Sequence, residues 1–312
     1  EVLPGMKAIT YAEYGDPSVL TLSDVPDPKV GPGEVLIRVR SASVNPVDWK
    51  IVAGYLDPMM NVERPAIPGW DVSGVVEAVG YDTPEFAVGD EVIAYARKDW
   101  VHGGTYAELV TAPARTVARK PEALDWHQAA GLPLAGLTAY QLLTRLGTKS
   151  GDTVLVHAAA GGVGILAVQI AKSFGARVIG TASERNHAFL RELGAEPVTY
   201  GEGLAERVRE LAPEGVEVVA DFVGGVLDTT KAVLADSGRH GSVVEAEVAQ
   251  AGGLYLWVRP NSDDLAALAD LADAGKLIVP VAEVFPLAQT ADAFTLNAGG
   301  HVRGKVIIAV SS

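Results

Sequence analysis

The sequence predicts an α/β chain in which a doubly wound parallel-sheet domain is inserted into a β-rich one. Three observations carry this. Residues up to about 120 read as short strands broken by turns. From about 125 strand-like and helix-like stretches alternate, and after Gly275 the chain is β-like again and ends in "GKVIIAV". Alternation of this kind is the pattern of a parallel sheet wrapped by helices, and the closing strand returns to the first domain. A length of 312 residues suits two domains. The boundaries read as 6–122 completed by 280–312, and 123–279.

In the first region "EVLIRVRSASV" and "DVSGVVEAVG" are strand-like, with "PGE", "VGDEV" and "HGGTY" as turns. In the second, "TVLVHA", "RVIGTA", "VEVVADF" and "GSVVEA" read as strands. They alternate with helical stretches over 163–174, 185–194, 204–212 and 225–235. "LADLADAGK" ends a further helix at Gly275, and Glu1–Gly5, ahead of Met6, read as lying outside the fold.

Composition narrows the function. The chain is 48% hydrophobic with 34 Gly and 18 Pro, enough for a sizeable core and many turns. A net charge of −14 argues against nucleic acid, whose phosphates call for clustered Lys and Arg. No apolar run is long enough to cross a bilayer, and no N-terminal stretch combines basic, apolar and cleavage regions. The absence of cysteine excludes disulfides, thiolate zinc sites and thiol nucleophiles, and fits a cytoplasmic protein.

The stretch "TVLVHAAAGGVGILAVQIAKSFGA" runs from a strand through small residues into a helix. Ala159, Gly161 and Gly164 hold the three positions of a dinucleotide glycine fingerprint, with alanine in the first. Small residues let a pyrophosphate approach the backbone, and a helix N-terminus offers free N–H groups and a positive dipole end. The plainer reading is a tight strand-to-helix turn with no ligand. Phosphate-loop ATPases are excluded, since no Lys-Ser/Thr follows the last glycine. The next strand normally carries an acid at its tip to hold the ribose hydroxyls. Here "VIGTASERN" has Ala182 and Ser183, then Glu184 and Arg185. Glu184 reads as a first-turn helix acid. Arg185 offers a fork of donors to a 2′-phosphate, which points to NADPH rather than NADH.

With these residues on view, "GDTVLVHAAAGGVGILAVQIAK" resembles the signature of the quinone oxidoreductase and zeta-crystallin branch of medium-chain dehydrogenase/reductases. The likeness runs from "MKAITYAEYGDPSVLTL" to "RGKVII". It implies a GroES-like substrate domain over 6–122 and 280–312, and a Rossmann NADPH-binding domain over 123–279. It further implies Asn45 beside the nicotinamide, Thr138 near its phosphate, Lys305 near the cofactor and Tyr200 against the 2′-phosphate region. Ala160 and Gly161 belong to the small-residue turn, Gly162 and Val163 bind the pyrophosphate through backbone N–H groups, and Ser183 joins Arg185 at the adenosine end. Each has a plainer reading. Thr138 can bond back within its helix, Tyr200 can be a half-buried turn aromatic, Lys305 a solvated strand lysine and Asn45 a turn residue before Pro46.

Zinc-dependent relatives carry Gly-His-Glu at the start of a strand. "GWDVSGVVEAVG" keeps the glycine spacing in Gly69, Gly74 and Gly80 but has Trp70 in place of the histidine, and Asn45 stands where their first cysteine ligand falls. The expected site therefore has no metal, with Asp71 and the glycines as scaffold. Without a Lewis acid, hydride acceptors must be activated by their own conjugation, as quinones and enones are. Tyr55, Met59, Met60 and Trp257 read as an apolar substrate wall beside a loop, "YLDPMMNVERP", although the adjacent Met residues fit an ordinary core edge equally well, and Tyr55 or solvent reads as the source of the second proton. The expected activity is NADPH-dependent reduction of a small apolar conjugated carbonyl. The alternatives are an enoyl or alkenal double-bond reductase, or an NADPH-binding crystallin-like structural protein. The resemblance also implies a homodimer joined at edge strands, for which "GGLYLWV" is the candidate.

Overall fold

The computed structural model describes residues 5–312. The chain enters through β1 (Gly5–Thr10), paired antiparallel with β2 (Thr21–Pro26). Gly5 stands opposite Pro26 in this pair, so the expectation that it lies outside the fold is corrected; Glu1–Pro4 lie outside the described residues. β3 (Glu34–Val44) then leads into the short helix α1 (Pro46–Val52). β4 (Asp71–Val79), β5 (Glu91–Tyr95), β6 (Leu109–Pro113) and β7 (Val117–Arg119) follow. β4 lies along one side of β3 and β6 along the first half of its other side, all antiparallel.

The alternation expected for a half-buried strand is visible in β3. Val35, Ile37 and Val39 point into a core shared with Val72, Val76, Val92, Ala94 and Val110. The spaced glycines are scaffold in a literal sense. A Cβ on Gly74 would stand 2.3 Å from the Arg38 carbonyl oxygen, and one on Gly80 only 1.9 Å from that of Gly31. After α2 (Trp126–Ala130) and α3 (Pro133–Arg145) the texture changes as the sequence indicates.

Strands β8 (Thr153–His157), β9 (Arg177–Thr181), β10 (Glu196–Val198), β11 (Val216–Asp221), β12 (Leu234–Ser242) and β13 (Leu254–Tyr255) form one parallel sheet in the order β10-β9-β8-β11-β12-β13. Helices α4 (Gly162–Ser173), α5 (His187–Glu192), α6 (Leu204–Leu211) and α7 (Leu227–Val233) lie between them in sequence. This is the doubly wound order, and its switch falls between β8 and β11. Strands covered on both faces read as continuous apolar runs, and Leu155, Ile179, Val216 and Val219 pack with Leu204 and Val208.

One strand is displaced from its expected place. "GSVVEA" reads as a strand, but β12 ends at Ser242, whose Oγ accepts the N–H groups of Val244 and Glu245 and turns the chain away. The edge strand expected in "GGLYLWV" is reduced to Leu254–Tyr255. The chain closes with α8 (Ser262–Asp273), β14 (Val281–Pro286), α9 (Thr290–Gly299) and β15 (Lys305–Ala309). β15 runs antiparallel to the second half of β3, the return the sequence implies.

Two compact units result. One holds the residues up to Leu134 with Pro260–Ser312, the other Ala135–Arg259. These limits differ from joints at 122/123 and 279/280 for a local reason: α2 packs on β3 and β4, and α8 on β7, so both helices go with the first unit. Among the described residues no helix is long and apolar enough to cross a membrane.

Candidate functional site

Chemistry-bearing residues gather in each unit. In the second, β8 ends at His157 and the turn Ala158–Gly161 leads into α4. Ala158 takes φ +59°, a left-handed conformation that costs an alanine about 1–2 kcal/mol. The left-handed residue is the neighbour of Ala159, which holds the first fingerprint position. β9 holds the turn in place: Ala158 N–H donates to Thr181 Oγ1 at 3.0 Å and Ala159 N–H to the Thr181 carbonyl at 2.9 Å. Gly164 permits the close crossing, since its Cβ would meet the Ala158 carbonyl oxygen at 1.9 Å. Gly161 sits at the N-cap with its nearest neighbour 3.4 Å from a would-be Cβ, and no acid stands in the first turn of α4. The first-turn N–H groups of a helix have no partner inside it, so Gly162 and Val163 present donors at a positive dipole end. Ala160, Gly161, Gly162 and Val163 are all partly exposed, which leaves this backbone open to an anion.

The carboxyl ends of the neighbouring strands complete this face. After β9, Ser183 caps a single turn, Glu184–Asn186, on which Arg185 is exposed. After β10, Tyr200 is 57% exposed, more open than a half-buried turn aromatic. Ala182 N–H donates to the Val198 carbonyl at 3.0 Å, so the two tips stand side by side. No carboxylate ends β9 at Ala182 or Ser183, where one would hold ribose hydroxyls, and the adjoining turn carries the Arg185 guanidinium beside Glu184. The residues present therefore fit a dinucleotide with a 2′-phosphate.

Beside β8 the sheet carries a polar cluster that the motifs did not reveal. Asp221, at the end of β11, accepts the N–H groups of Val223 and Gly224 and the hydroxyl of Ser242 at 2.7 Å. His157 is buried next to Thr230 Oγ1 at 3.3 Å. Burial lowers its pKa to about 4, against the opposing charge of Asp221, so it is neutral at pH 7. Thr138 is buried on α3.

In the first unit, Asn45 is the hub of a buried network. Its Nδ2 donates to Asp71 Oδ2 at 2.9 Å, and its Oδ1 accepts from Lys305 Nζ at 2.5 Å. Lys305 is only 5% exposed and also donates to the Val44 carbonyl, which corrects the solvated-lysine reading. Asp71 further accepts from Ser43 Oγ and from the Leu134 N–H, at 2.6 and 2.8 Å. Asp48 accepts from the Asn45 N–H and from Tyr106 OH at 2.7 and 2.9 Å. Burial raises the Asp48 pKa to about 7, with these hydrogen bonds pulling the other way. Burial likewise raises Asp71 and lowers Lys305, and each opposes the other's shift by its charge. Asp71, read as scaffold, thus also fixes the amide of Asn45. The sequence signal for Asp48 is the Asn-x-x-Asp spacing of a capping box at the start of α1; Tyr106 and Ser43 carry no local signal.

The residues expected to form a substrate wall are divided between the two units. Tyr55 and Met59 are 67% and 59% exposed, on a segment wound into successive turns by hydrogen bonds such as Tyr55 N–H to the Lys50 carbonyl. Trp257 belongs to the second unit and is half-buried.

Residues 31–122 match the family model of the alcohol dehydrogenase GroES-like domain, and residues 193–308 that of the zinc-binding dehydrogenase. The chain is 35% identical to the chloroplastic NADPH-dependent alkenal/one oxidoreductase of Arabidopsis thaliana, over 97% of its own length and 79% of the relative's. The solved quinone oxidoreductase from Coxiella burnetii is similar at TM-score 0.87 and 38% identity, covering 99% of this chain and 100% of that one. A mycobacterial protein solved in complex with NADPH gives a TM-score of 0.84 at 33% identity, covering 97% and 99%.

Proposed function

Because this chain belongs to the quinone oxidoreductase branch of the medium-chain dehydrogenase/reductase superfamily, we propose that it is an NADPH-dependent oxidoreductase that reduces quinones or other conjugated carbonyls without a metal. The observation that carries this reading is the open turn Ala158–Gly164 beside a strand end followed by Ala182 and Ser183 where an acid would stand, with Arg185 next to Glu184 in the turn after it. In this reading Ala160 and Gly161 leave room for the pyrophosphate, and Gly162 and Val163 hold it. Ser183, Arg185 and Tyr200 take the adenosine end, Thr138 the nicotinamide phosphate, and Asn45 and Lys305 the nicotinamide side. When bound, the cofactor supplies a hydride to an electron-poor carbon.

Asn45 orients. Its carbonyl oxygen is engaged by Lys305 and one amide N–H by Asp71, which leaves the second N–H to meet the nicotinamide or the acceptor oxygen. A pre-set donor of this kind costs no reorganisation during reaction. The exposed Tyr55 hydroxyl or solvent delivers the second proton. The donors do not fit a catalytic zinc: Trp70 packs its indole on Tyr95 with ring centres 5.8 Å apart, the Asn45 amide oxygen is taken by Lys305, and the chain has no cysteine.

A second reading, reduction of the carbon–carbon double bond of an enone, is supported by the name of the Arabidopsis relative. Steady-state kinetics separate the cases: NADPH oxidation with 9,10-phenanthrenequinone or a small enone as acceptor, and NADP⁺ reduction with a primary alcohol as hydride donor. Quinone or enone turnover is expected, and the alcohol pair is expected to fail. Turnover of the alcohol pair alone would refute the mechanism, and turnover of nothing would leave an NADPH-binding structural protein. We also propose a cytoplasmic homodimer: β13 ends the six-stranded sheet and leaves an edge that a two-fold partner can cover. A monomer by light scattering at micromolar concentration would refute the assembly.

A further inference from the structure

The guanidinium of Arg207 lies at the turn linking β10 to α6. Its Nε and Nη2 donate to the Thr199 carbonyl at 3.0 and 2.6 Å, Nη2 reaches that of Tyr200 at 3.3 Å, and Nη1 donates to that of Glu202 at 2.8 Å. Side chains of a helix lean toward its N-terminus, so an arginine in the first turn of α6 can reach back over the preceding turn. Gly201 and Gly203, at φ +95° and +82°, let the chain fold around the fork, and a Cβ on Gly203 would stand 2.8 Å from Nη1. Only a planar fork can hold carbonyls in this pattern; an ammonium is a point charge.

Two features take this beyond a turn cap. All four contacts are to neutral carbonyls, and among the described residues no carboxylate stands within ion-pair distance of Arg207. Its charge is therefore held in place without being neutralised. The turn it holds also adjoins the β9 tip, since the Ala182 N–H donates to the Val198 carbonyl immediately before Thr199. We infer that Arg207 fixes the Tyr200 turn and supplies a second positive charge to the pocket of the adenosine 2′-phosphate. NADPH preference then belongs to Arg185 and Arg207 together. This rests on the NADPH reading above.

The test is the ratio of NADH to NADPH dissociation constants, from fluorescence titration of wild type, Arg207→Gln and Arg207→Lys, with thermal unfolding run on each. Arg207→Gln is expected to lower the ratio about fivefold, the upper range for a partly exposed charge pair, with NADPH weakened more than NADH. Arg207→Lys keeps the charge but not the fork, and is expected to lose about twofold. An unchanged ratio in Arg207→Gln, or equal weakening of both cofactors, makes Arg207 a structural cap only. If that variant does not fold, an unchanged ratio in Arg207→Lys has the same force. A wild-type ratio near one removes the NADPH reading itself and this inference with it.

Discussion

Two glycines of the cofactor turn should fail for different reasons when replaced by alanine. At Gly164 an added Cβ stands 1.9 Å from the Ala158 carbonyl oxygen and 2.8 Å from Ala158 C and Ala159 Cα. All three are backbone atoms of a turn pinned by Thr181, so no flexible side chain can give way. Relief requires lifting α4 off β8 or opening the turn. Overpacking of this kind costs about 1–3 kcal/mol, or roughly 2–12 °C in Tm at 2–4 °C per kcal/mol for a domain of this size. At Gly161 the nearest atom is 3.4 Å away and φ is −80°, so alanine fits. Losing a favoured N-cap residue there is offset by about 0.4–1 kcal/mol of unfolded-state entropy, and stability should barely move. What the new Cβ does is cover the backbone that the pyrophosphate must approach. Gly161→Ala should therefore keep its Tm within about 2 °C while the NADPH Kd rises about tenfold, the worth of one charge-assisted hydrogen bond. Gly164→Ala should lose both. Thermal unfolding by circular dichroism and NADPH fluorescence titration at fixed salt read the two effects separately. A wild-type Kd in Gly161→Ala would deny the anion its place at the turn, and a wild-type Tm in Gly164→Ala would deny the close crossing.

Arg185→Ala should remove most of an NADPH preference of about tenfold or more and leave NADH binding nearly unchanged; equal dissociation constants in the unmodified protein would contradict this. Asn45→Ala should lower kcat more than it weakens NADPH binding, because an orienting contact matters most in the transition state; a pure loss of affinity would count against it. Lys305→Met leaves buried Asp71 without its cation and should cost about 3–5 kcal/mol in a urea titration, a figure that near-neutral stability would overturn. His157 predicts a pH dependence. The unfolded chain takes up a proton as pH falls below 6.5 and the folded one only near 4, so this residue's contribution is full above 6.5 and lost as pH falls from 6.5 to 4. Asp48 acts in the opposite sense between its usual range and about 7. The comparison is therefore between wild type and His157→Gln across that window, where the variant's Tm should fall less steeply. Parallel curves would show that His157 carries a proton in the folded state.

How much could be read without coordinates depended on how far apart in sequence the partners lie. The cofactor turn is local. Strand, small residues, helix and the acid-free tip that follows all fall within "TVLVHAAAGGVG" and "VIGTASERN", and steric need alone selects glycine or alanine there. The return of the last strand was also legible, because a β-branched run after a helical region has to pair somewhere. The buried network was not. Asp71 meets Asn45 because the β3–β4 register sets Ser43 opposite Asp71, and Lys305 arrives because β15 pairs Val306 with Val44. Those contacts join residues 26 and 260 positions apart, with no spacing to announce them.

The sequence by itself therefore determined the fold class, the dinucleotide turn and the absence of thiolate chemistry, each a matter of residue type within a short window. Only the tertiary structure decided that Lys305 is buried, that Asp48 titrates near 7, and that Arg207 spends its fork on three carbonyls beside Tyr200. Ionisation and reach depend on what surrounds a side chain in space, and desolvation acts through neighbours brought together by strand register.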